Sequence, residues 1–524
     1  MSESEEIKDS IFNNIRQDFP ASIVVFFVAL PLCLGIALAS GASLFSGIIA
    51  GIVGGIVVGS ISNSALGVSG PAAGLAVIVF NSIQSLGAFD IFLVAVIIAG
   101  GLQILMGLLR GGTIAYYFPS AVIKGMLAGI GIIIFLKQIP HALGYDDNFG
   151  SVISFNQWNG ENIFSELLKV LDYVSFGPVI VSVVSLLILI TWDKVLADKH
   201  KIFKLVQGPV VAVTFGIVYQ IITSQYFPSI SIDAKHLVSV PVTNSLAEFS
   251  SLFNFPSFSH ILSKEVWIIG FTIAIVASLE TLLCVEATDK LDPLKRTTNT
   301  NRELIAQGAG NMISGFIGGL PITQVIVRSS ANIQSGGKTK LSAIIHGIFL
   351  LIIVVSIPFV LNIIPLAVLA SILLVVGYKL AKPSLFKQMY HIGWNQFLPF
   401  IVTIIGIVFT DLLIGIGMGV FVGLFIPLVK SANNSHFMHI EEVEDGQHNV
   451  TMTLAEQVMF LNKGAILKAL NKLPRGTHLV INMSKSVFID YDVLEIVVNF
   501  KNTSESKGIK TKLIHKEKIR TADY

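Results

Sequence analysis

Long apolar stretches separated by short polar ones run through most of this chain. A helix needs about 20 apolar residues to cross a hydrocarbon core, and stretches of that kind lie near 20–40, 43–62, 89–109, 117–138, 177–192 and 205–225. A polar interval, 226–263, follows. The second series lies near 264–287, 302–319, 340–361, 363–378, 396–411 and 411–428, its last two members divided by Asp411 and a Gly-rich turn. Two further apolar segments are too short to span: GPAAGLAVIVFNSI at 70–83 and PITQVIVRSSANI at 321–333. Each begins around a proline and stands third in its series, so the count becomes seven plus seven. Short segments at matching places in two halves predict an inverted-repeat transporter with its site at mid-membrane. The alternative is that both are merely re-entrant or interfacial pieces.

Beyond the last apolar stretch the period changes. From His448 there are short alternating runs, VTMTL and EQVMFL, then a helix-like segment 463–472, a strand THLVINM, a helix 491–506 and a strand KTKLIH. This predicts a small α/β domain over 440–524, large enough for a modest core. It has no evident substrate pocket, which suggests a regulatory or assembly module.

Charge orients the apolar part. With the N-terminus inside and seven crossings per half, the loops 193–204, 288–302, 336–340 and 379–387 fall on the cytoplasmic side, and all are basic. The loop 139–176 falls outside and carries Asp146, Asp147, Glu161, Glu166 and Asp172 against one lysine. That bias obeys the positive-inside rule. The acidic start, MSESEEIKDS, lacks the basic region and cleavage site of a secretory signal, so residues 1–18 are expected in the cytoplasm together with the tail. A multi-pass protein of the cell (inner) membrane results.

Composition narrows the chemistry. Hydrophobic residues make up 53% and charged residues only 13%, far from the roughly 25% charge of soluble domains. A net charge of +2 is too small to argue for nucleic acid. Cys33 and Cys284 both lie in apolar runs, where a disulfide framework makes no sense. No Walker loop or zinc-like cluster is present in the sequence, so an ATP-driven pump, an enzyme or a bound cofactor is not expected.

Within the apolar part a few residues stand out. A helix that begins at mid-membrane aims unsatisfied N–H groups and about half a positive charge at whatever precedes it. Two such ends facing each other would hold an anion. Gly70, Pro71, Ala72 and Ala73 on one side, and Pro321, Ile322, Thr323, Gln324 and Val325 on the other, are read as the first-turn residues. Ala72 and Ala73 could equally be small residues for helix packing. Glu280 lies deep in an apolar stretch, where a carboxylate is costly enough to be functional by default, with a buried structural role as the alternative. Glu286 and Asp289 fall nearer the interface. Arg328 could supply positive charge near the anion or pair with Glu280. Lys124 and Lys137 are expected to snorkel from the ends of their span, and Gln103 to hydrogen-bond between helices.

These residues resemble a family. NRELIAQGAGNMISGFIGGLPITQVIVRSSANIQSGGKTKLSAIIHG at 301–347 is similar to the signature of the SulP (sulfate permease) anion transporters, VSGPAAGLAV to their first half-helix and LPLCLGIALASGA to their first helix. The tail resembles their STAS domain. The resemblance implies fourteen transmembrane helices in two inverted repeats, a core domain (about 19–110 and 264–361) sliding against a gate domain (about 112–225 and 363–428) within 19–430, and a homodimer. Glu280 matches the acidic position of the family's eighth helix. In the sodium-coupled bicarbonate branch that acid is followed four residues on by a hydroxyl, whereas here Cys284 stands there. Sodium coordination is thereby in question and proton coupling stays open. Thr323, Gln324 and Val325 depart from the Gly, Ala and Ser usual at the second half-helix tip. In FIDYDVLEI, Tyr491 and Asp492 stand where STAS relatives of the anti-sigma-antagonist type carry a phosphorylatable serine, so that regulation is not expected.

The sequence thus points to a secondary active transporter of a small inorganic anion, bicarbonate before sulfate, coupled to Na+ or H+ through Glu280 and moving by an elevator. An uncoupled anion channel or exchanger is the rival, and a nucleobase–cation symporter uses a similar plan.

Overall fold

The computed structural model describes residues 14–113, 119–145, 174–196, 199, 208–240, 252–356, 358–410, 412–443 and 447–514. Two compact units divide it, residues 1–419 and 420–524.

All twelve stretches read as spans are helical, with ends moved by a few residues. In the first series they are α1 (Ile15–Ala39), α2 (Leu44–Ile61), α4 (Phe89–Leu108), α5 (Ser120–Leu143), α6 (Phe176–Leu196) and α7 (Gly208–Tyr226). The second series comprises α8 (Lys264–Leu291), α9 (Thr300–Phe316), α11 (Leu341–Ser356), α12 (Leu366–Leu380), α14 (Trp394–Phe409) and α15 (Leu412–Asn433). Among the described residues nine helices are long and apolar enough to cross a membrane. A short amphipathic helix that the hydropathy pattern did not suggest, α13 (Pro383–Ile392), sits before α14.

The two short segments are corrected in detail. Helix α3 covers Ala73–Leu86 and α10 covers Ile326–Gln334. The residues read as their first turns are mostly strand: β1 (Ser69–Pro71) and β2 (Ile322–Gln324) pair antiparallel, with Gly70 opposite Thr323. Proline explains the shift, because it disfavours helical backbone in the residue before it and holds Gly70 and Leu320 extended.

Packing sorts the helices of this unit. Helix α4 lies on α8 and α9, α1 on α2, α10 and α11, and α3 on α1, α4 and α8. Helix α5 lies on α12 and α14, and α6 on α7 and α12. Contacts of α1 with α7 and α12, and of α3 with α5, join the two sets. The predicted helix-bridging role of Gln103 is borne out: its Nε2 donates to Ser278 Oγ of α8 (3.2 Å) and its Oε1 accepts from Asn311 Nδ2 of α9 (2.7 Å).

Several loops expected on one side of the membrane meet one another locally. Lys379 pairs with Asp193 at 2.8 Å. Lys340 Nζ and Arg302 Nε donate to the carbonyls of Ser60 and Ile61, at 2.7 and 3.0 Å, cations at a helix C-terminus as the macrodipole favours. Asp18 accepts the Lys338 and Thr339 N–H groups. The acidic residues Asp146, Asp147, Glu161, Glu166 and Asp172 of the opposite loop, and Asp411, lie outside the described residues.

The second unit contains a four-stranded sheet in the order β3 (His436–Val443), β4 (Gln447–Leu454), β6 (His478–Asn482), β8 (Lys510–Ile514), antiparallel at the first pair and parallel after it. A two-stranded piece, β5 (Gln457–Val458) with β7 (Phe488–Ile489), stands beside it. Helices α16 (Lys463–Asn471) and α17 (Tyr491–Ser504) pack on the sheet through Ile466, Leu470, Val493, Val497 and Phe500. The first strand of the sheet starts at His436, ahead of the alternation read from His448. Asp490 caps α17, and Asp492 faces Lys463 Nζ at 3.3 Å. A groove of about 600 Å³ bordered by His436, His448, Lys468 and Lys472 is also present, a feature the sequence pattern did not reveal.

Candidate functional site

Pairing β1 with β2 places the starts of α3 and α10 side by side, from segments far apart in the chain. Each start is a helix N-terminus, where the backbone N–H groups lack the usual i−4 carbonyl partner. The linkage is tight. Val325 N–H donates to the Val68 carbonyl (3.0 Å), Val68 N–H to Ser329 Oγ (3.0 Å), and Asn332 Nδ2 to the Leu66 carbonyl (3.1 Å). Asn311 of α9 grips β2 from behind by accepting the Ile322 N–H (2.6 Å) and donating to the Ile322 carbonyl (3.0 Å).

Helix α8 runs past both tips and presents a polar face to them. The Glu280 carboxylate accepts the Gly74 N–H in the first turn of α3, while its Oε2 has no hydrogen-bond partner. Glycine at 74 lets the carboxylate approach the helix start, because a Cβ there would meet Glu280 Oε2 at 2.6 Å and push it aside. One turn on, the Cys284 sulfur accepts the Ile326 N–H at the start of α10. Thr281 Oγ1 accepts the Gln324 N–H (3.3 Å), and Thr288 Oγ1 accepts from Gln324 Nε2 (3.1 Å). Past the last turn of α8, burial works against the Asp292 carboxylate, but the Arg296 side chain and the Leu294 and Arg296 N–H groups outweigh it. They hold Asp292 below the usual carboxylate range.

The predicted site residues all gather here in two layers. Ala73, Val325 and Cys284 are partly exposed, whereas Ala72, Thr323, Gln324 and Arg328 are buried behind them and Glu280 stands at the margin. Thr323 Oγ1 and Gln324 Oε1 are buried without a partner.

Arg328 does not pair with Glu280, and neither residue's remaining polar atom is satisfied by the other. Its guanidinium is 1% exposed and lies against Gly70, where any Cβ would collide with Nη1. Its Nη2 reaches only Cys33 Sγ, at 3.4 Å, and Nη1 has no partner. A buried guanidinium without a counter-ion is unfavourable and suits a site whose ligand is an anion.

A second buried carboxylate lies behind β1. Glu303 accepts from Ser62 Oγ and from Gln307 Nε2 (2.8 Å), and Gln307 Nε2 also reaches Ser69 Oγ (2.7 Å). With Asn311 these residues form a polar stripe on α9. Their spacing of four in NRELIAQGAGN was the signal that could have found them, as was the same spacing of Glu280, Cys284 and Thr288.

Lys137 departs from expectation. It does not snorkel but is 4% exposed, with Nζ over the Phe80 ring of α3.

The sulfate permease family profile matches residues 15–403. The bicarbonate transporter BicA of Picosynechococcus is 28% identical over 454 residues, covering 85% of this chain and 76% of its own. YvdB of Bacillus subtilis, named as a candidate sulfate transporter, is 25% identical over 513 residues, covering 95% and 91%. In structure, the transmembrane domain of a cyanobacterial BicA superposes with a TM-score of 0.64 at 23% identity, covering 79% of this chain and 98% of that one. The murine Solute Carrier 26 family member A9 anion transporter reaches 0.76 at 15% identity, covering 97% and 86%. These likenesses extend over the paired half-helices and α8, and the chain belongs to the sulfate permease family, as a multi-pass membrane transporter of anions.

Proposed function

We propose that this protein is a secondary active transporter of a small inorganic anion, bicarbonate before sulfate, with its site between the tips of α3 and α10. The observation that carries this reading is the β1–β2 pairing, which joins two helix N-termini beside an unpaired buried guanidinium and a carboxylate. The anion would lie against Ala73 and Val325, with the N–H groups of both first turns as donors and Ala72, Thr323, Gln324 and Arg328 forming the wall. Because the N–H dipoles are fixed, no reorganisation is needed when the ion arrives.

Coupling falls to Glu280. Its charge occupies the end of α3 that the anion also needs, so a proton or a cation on the carboxylate favours anion binding, and the reverse. The neighbouring sulfur of Cys284 is a weak acceptor, poor company for a hard cation, which favours H+ over Na+. The two helix sets act as core (α1–α4 and α8–α11) and gate (α5–α7 and α12–α15), two inverted repeats of seven segments moving as an elevator. Both termini lie in the cytoplasm of a cell-membrane homodimer, and the C-terminal unit serves as a STAS-type regulatory or assembly module.

The test is purified protein in liposomes, with labelled bicarbonate and sulfate uptake measured while Na+ and H+ gradients are varied independently. Uptake against a gradient only when a proton gradient is imposed is expected. Uptake indifferent to both gradients would make the protein an uncoupled conductor. Ala73→Leu should abolish uptake in a folded protein, and normal transport by that variant would remove the anion from this position.

A further inference from the structure

Lys137 is a buried cation for which the site above has no use. Its Nζ has no hydrogen-bond partner and rests 4.1 Å from the centroid of the Phe80 ring. A ring face attracts an ammonium, but it recovers only a fraction of what the lost water supplied. Methionine would fill the same space without that cost. A charge kept in such a place is therefore functional by default.

Its position gives the function. Lys137 belongs to α5, which packs on α12 and α14, whereas Phe80 belongs to α3, which packs on α1, α4 and α8. The contact thus joins the two helix sets. Phe80 lies about 10 Å along α3 from Ala73, at 1.5 Å per residue. The ring also packs against Gly41, just past the end of α1, where a Cβ would stand 2.9 Å from Cδ2. With the start of α1 in the cytoplasm, Gly41 and Phe80 lie on the external side of the half-helix tips. Two more buried oxygens without partners flank the place in sequence, Ser40 Oγ next to Gly41 and Gln138 Oε1 next to Lys137.

We propose that Lys137 is an anion-selecting residue of the external route, held over Phe80 in this conformation and freed to meet the incoming anion when α3 moves against α5. This rests on the anion site at the half-helix tips and on relative movement of the two helix sets. The ammonium would add positive charge to that route and so raise the local anion concentration.

The experiment measures initial uptake of labelled bicarbonate and of sulfate against external concentration in proteoliposomes, for the wild type, Lys137→Met and Lys137→Arg, with thermal stability of each in detergent. Lys137→Met should raise the external KM about tenfold or more while melting at the same or a higher temperature, and Lys137→Arg should restore most of the affinity. An unchanged KM in Lys137→Met overturns the proposal. If the Met variant fails to fold, Lys137→Gln is read by the same two outcomes. Ala73→Leu run alongside separates the two claims: its loss of uptake beside an unchanged KM in Lys137→Met sinks only the external role. Normal uptake in Ala73→Leu would sink the tip site, and with it the route on which Lys137 is placed.

Discussion

The two half-helices carry the same backbone charge at their tips and differ in what surrounds it. Helix α3 has 14 residues, is apolar along most of its length, and meets a carboxylate, Glu280, at its first turn. Helix α10 has nine, buries Arg328, Ser329 and Asn332, is fastened by hydrogen bonds to residues 66–68, and meets a thiol, Cys284. Under the proposed reading, the acid competes with the anion for the α3 tip, whereas at the α10 tip the competitor is only the weak acceptor Cys284. Fixed dipoles alone would give a passive anion site. In the proposed mechanism, the asymmetry makes occupancy conditional on the state of one side chain.

Removing the asymmetry at its source should have the largest effect. Glu280→Gln keeps the shape of the side chain and fixes it neutral, so the competition at α3 ends. Accumulation against a gradient should disappear, while exchange of labelled for unlabelled anion continues. A coupling free energy of about 1–3 kcal/mol corresponds to about 5–150-fold in affinity between the two states of the acid. Flux assays at imposed proton gradients measure it. If the Gln variant still accumulates anion, the two tips are equivalent and coupling resides elsewhere, with Arg328 the next residue to examine.

A smaller effect is expected on the side of α10. Arg328→Met replaces an unpaired buried charge by an apolar chain of similar length. Loss of charged hydrogen bonds to the anion, about 1.5–3 kcal/mol, should raise KM about 10- to 150-fold. Thermal stability should hold or rise, because a charge without a partner leaves the interior. Equal KM with raised stability would mean that Arg328 only packs against Gly70 and that the backbone dipoles suffice.

Most of the membrane fold is legible in the sequence because span length and apolarity are local properties. The twelve long helices, the two short ones and the gathering of Ala73, Val325, Glu280 and Cys284 could all be anticipated. The junction itself could not, since β1 and β2 pair across the chain and neither three-residue strand has a periodicity to detect. Depth was also hidden. Lys137 and Glu303 look alike in sequence to interfacial charges, and only packing places them inside. In the C-terminal unit the first strand, HFMHIEEV, was missed because it follows α15 almost without a turn and its alternation is broken by the charged pair Glu441 and Glu442.

The finest difference between the tips is the atom that α8 offers to α10. Sulfur is a larger and weaker acceptor than a hydroxyl, so the Cys284 position holds the Ile326 N–H without presenting a hard oxygen to Glu280. Cys284→Ser supplies that oxygen one turn from the carboxylate at nearly the same volume. A sodium ion would then have two oxygen-bearing side chains of one helix face within reach, together with Thr281 beside them. The gain of one such ligand is worth about 0.5–1.5 kcal/mol by analogy with a neutral hydrogen bond, or about 2- to 10-fold. Wild-type uptake should be indifferent to replacing Na+ by K+ at constant pH, and the Ser variant should become stimulated by Na+ within that range. Sodium stimulation already present in the wild type would assign the cation to oxygens other than that of residue 284. Indifference in both proteins would leave the proton as the partner of Glu280, and the distinction between the two half-helices would then rest on the carboxylate alone.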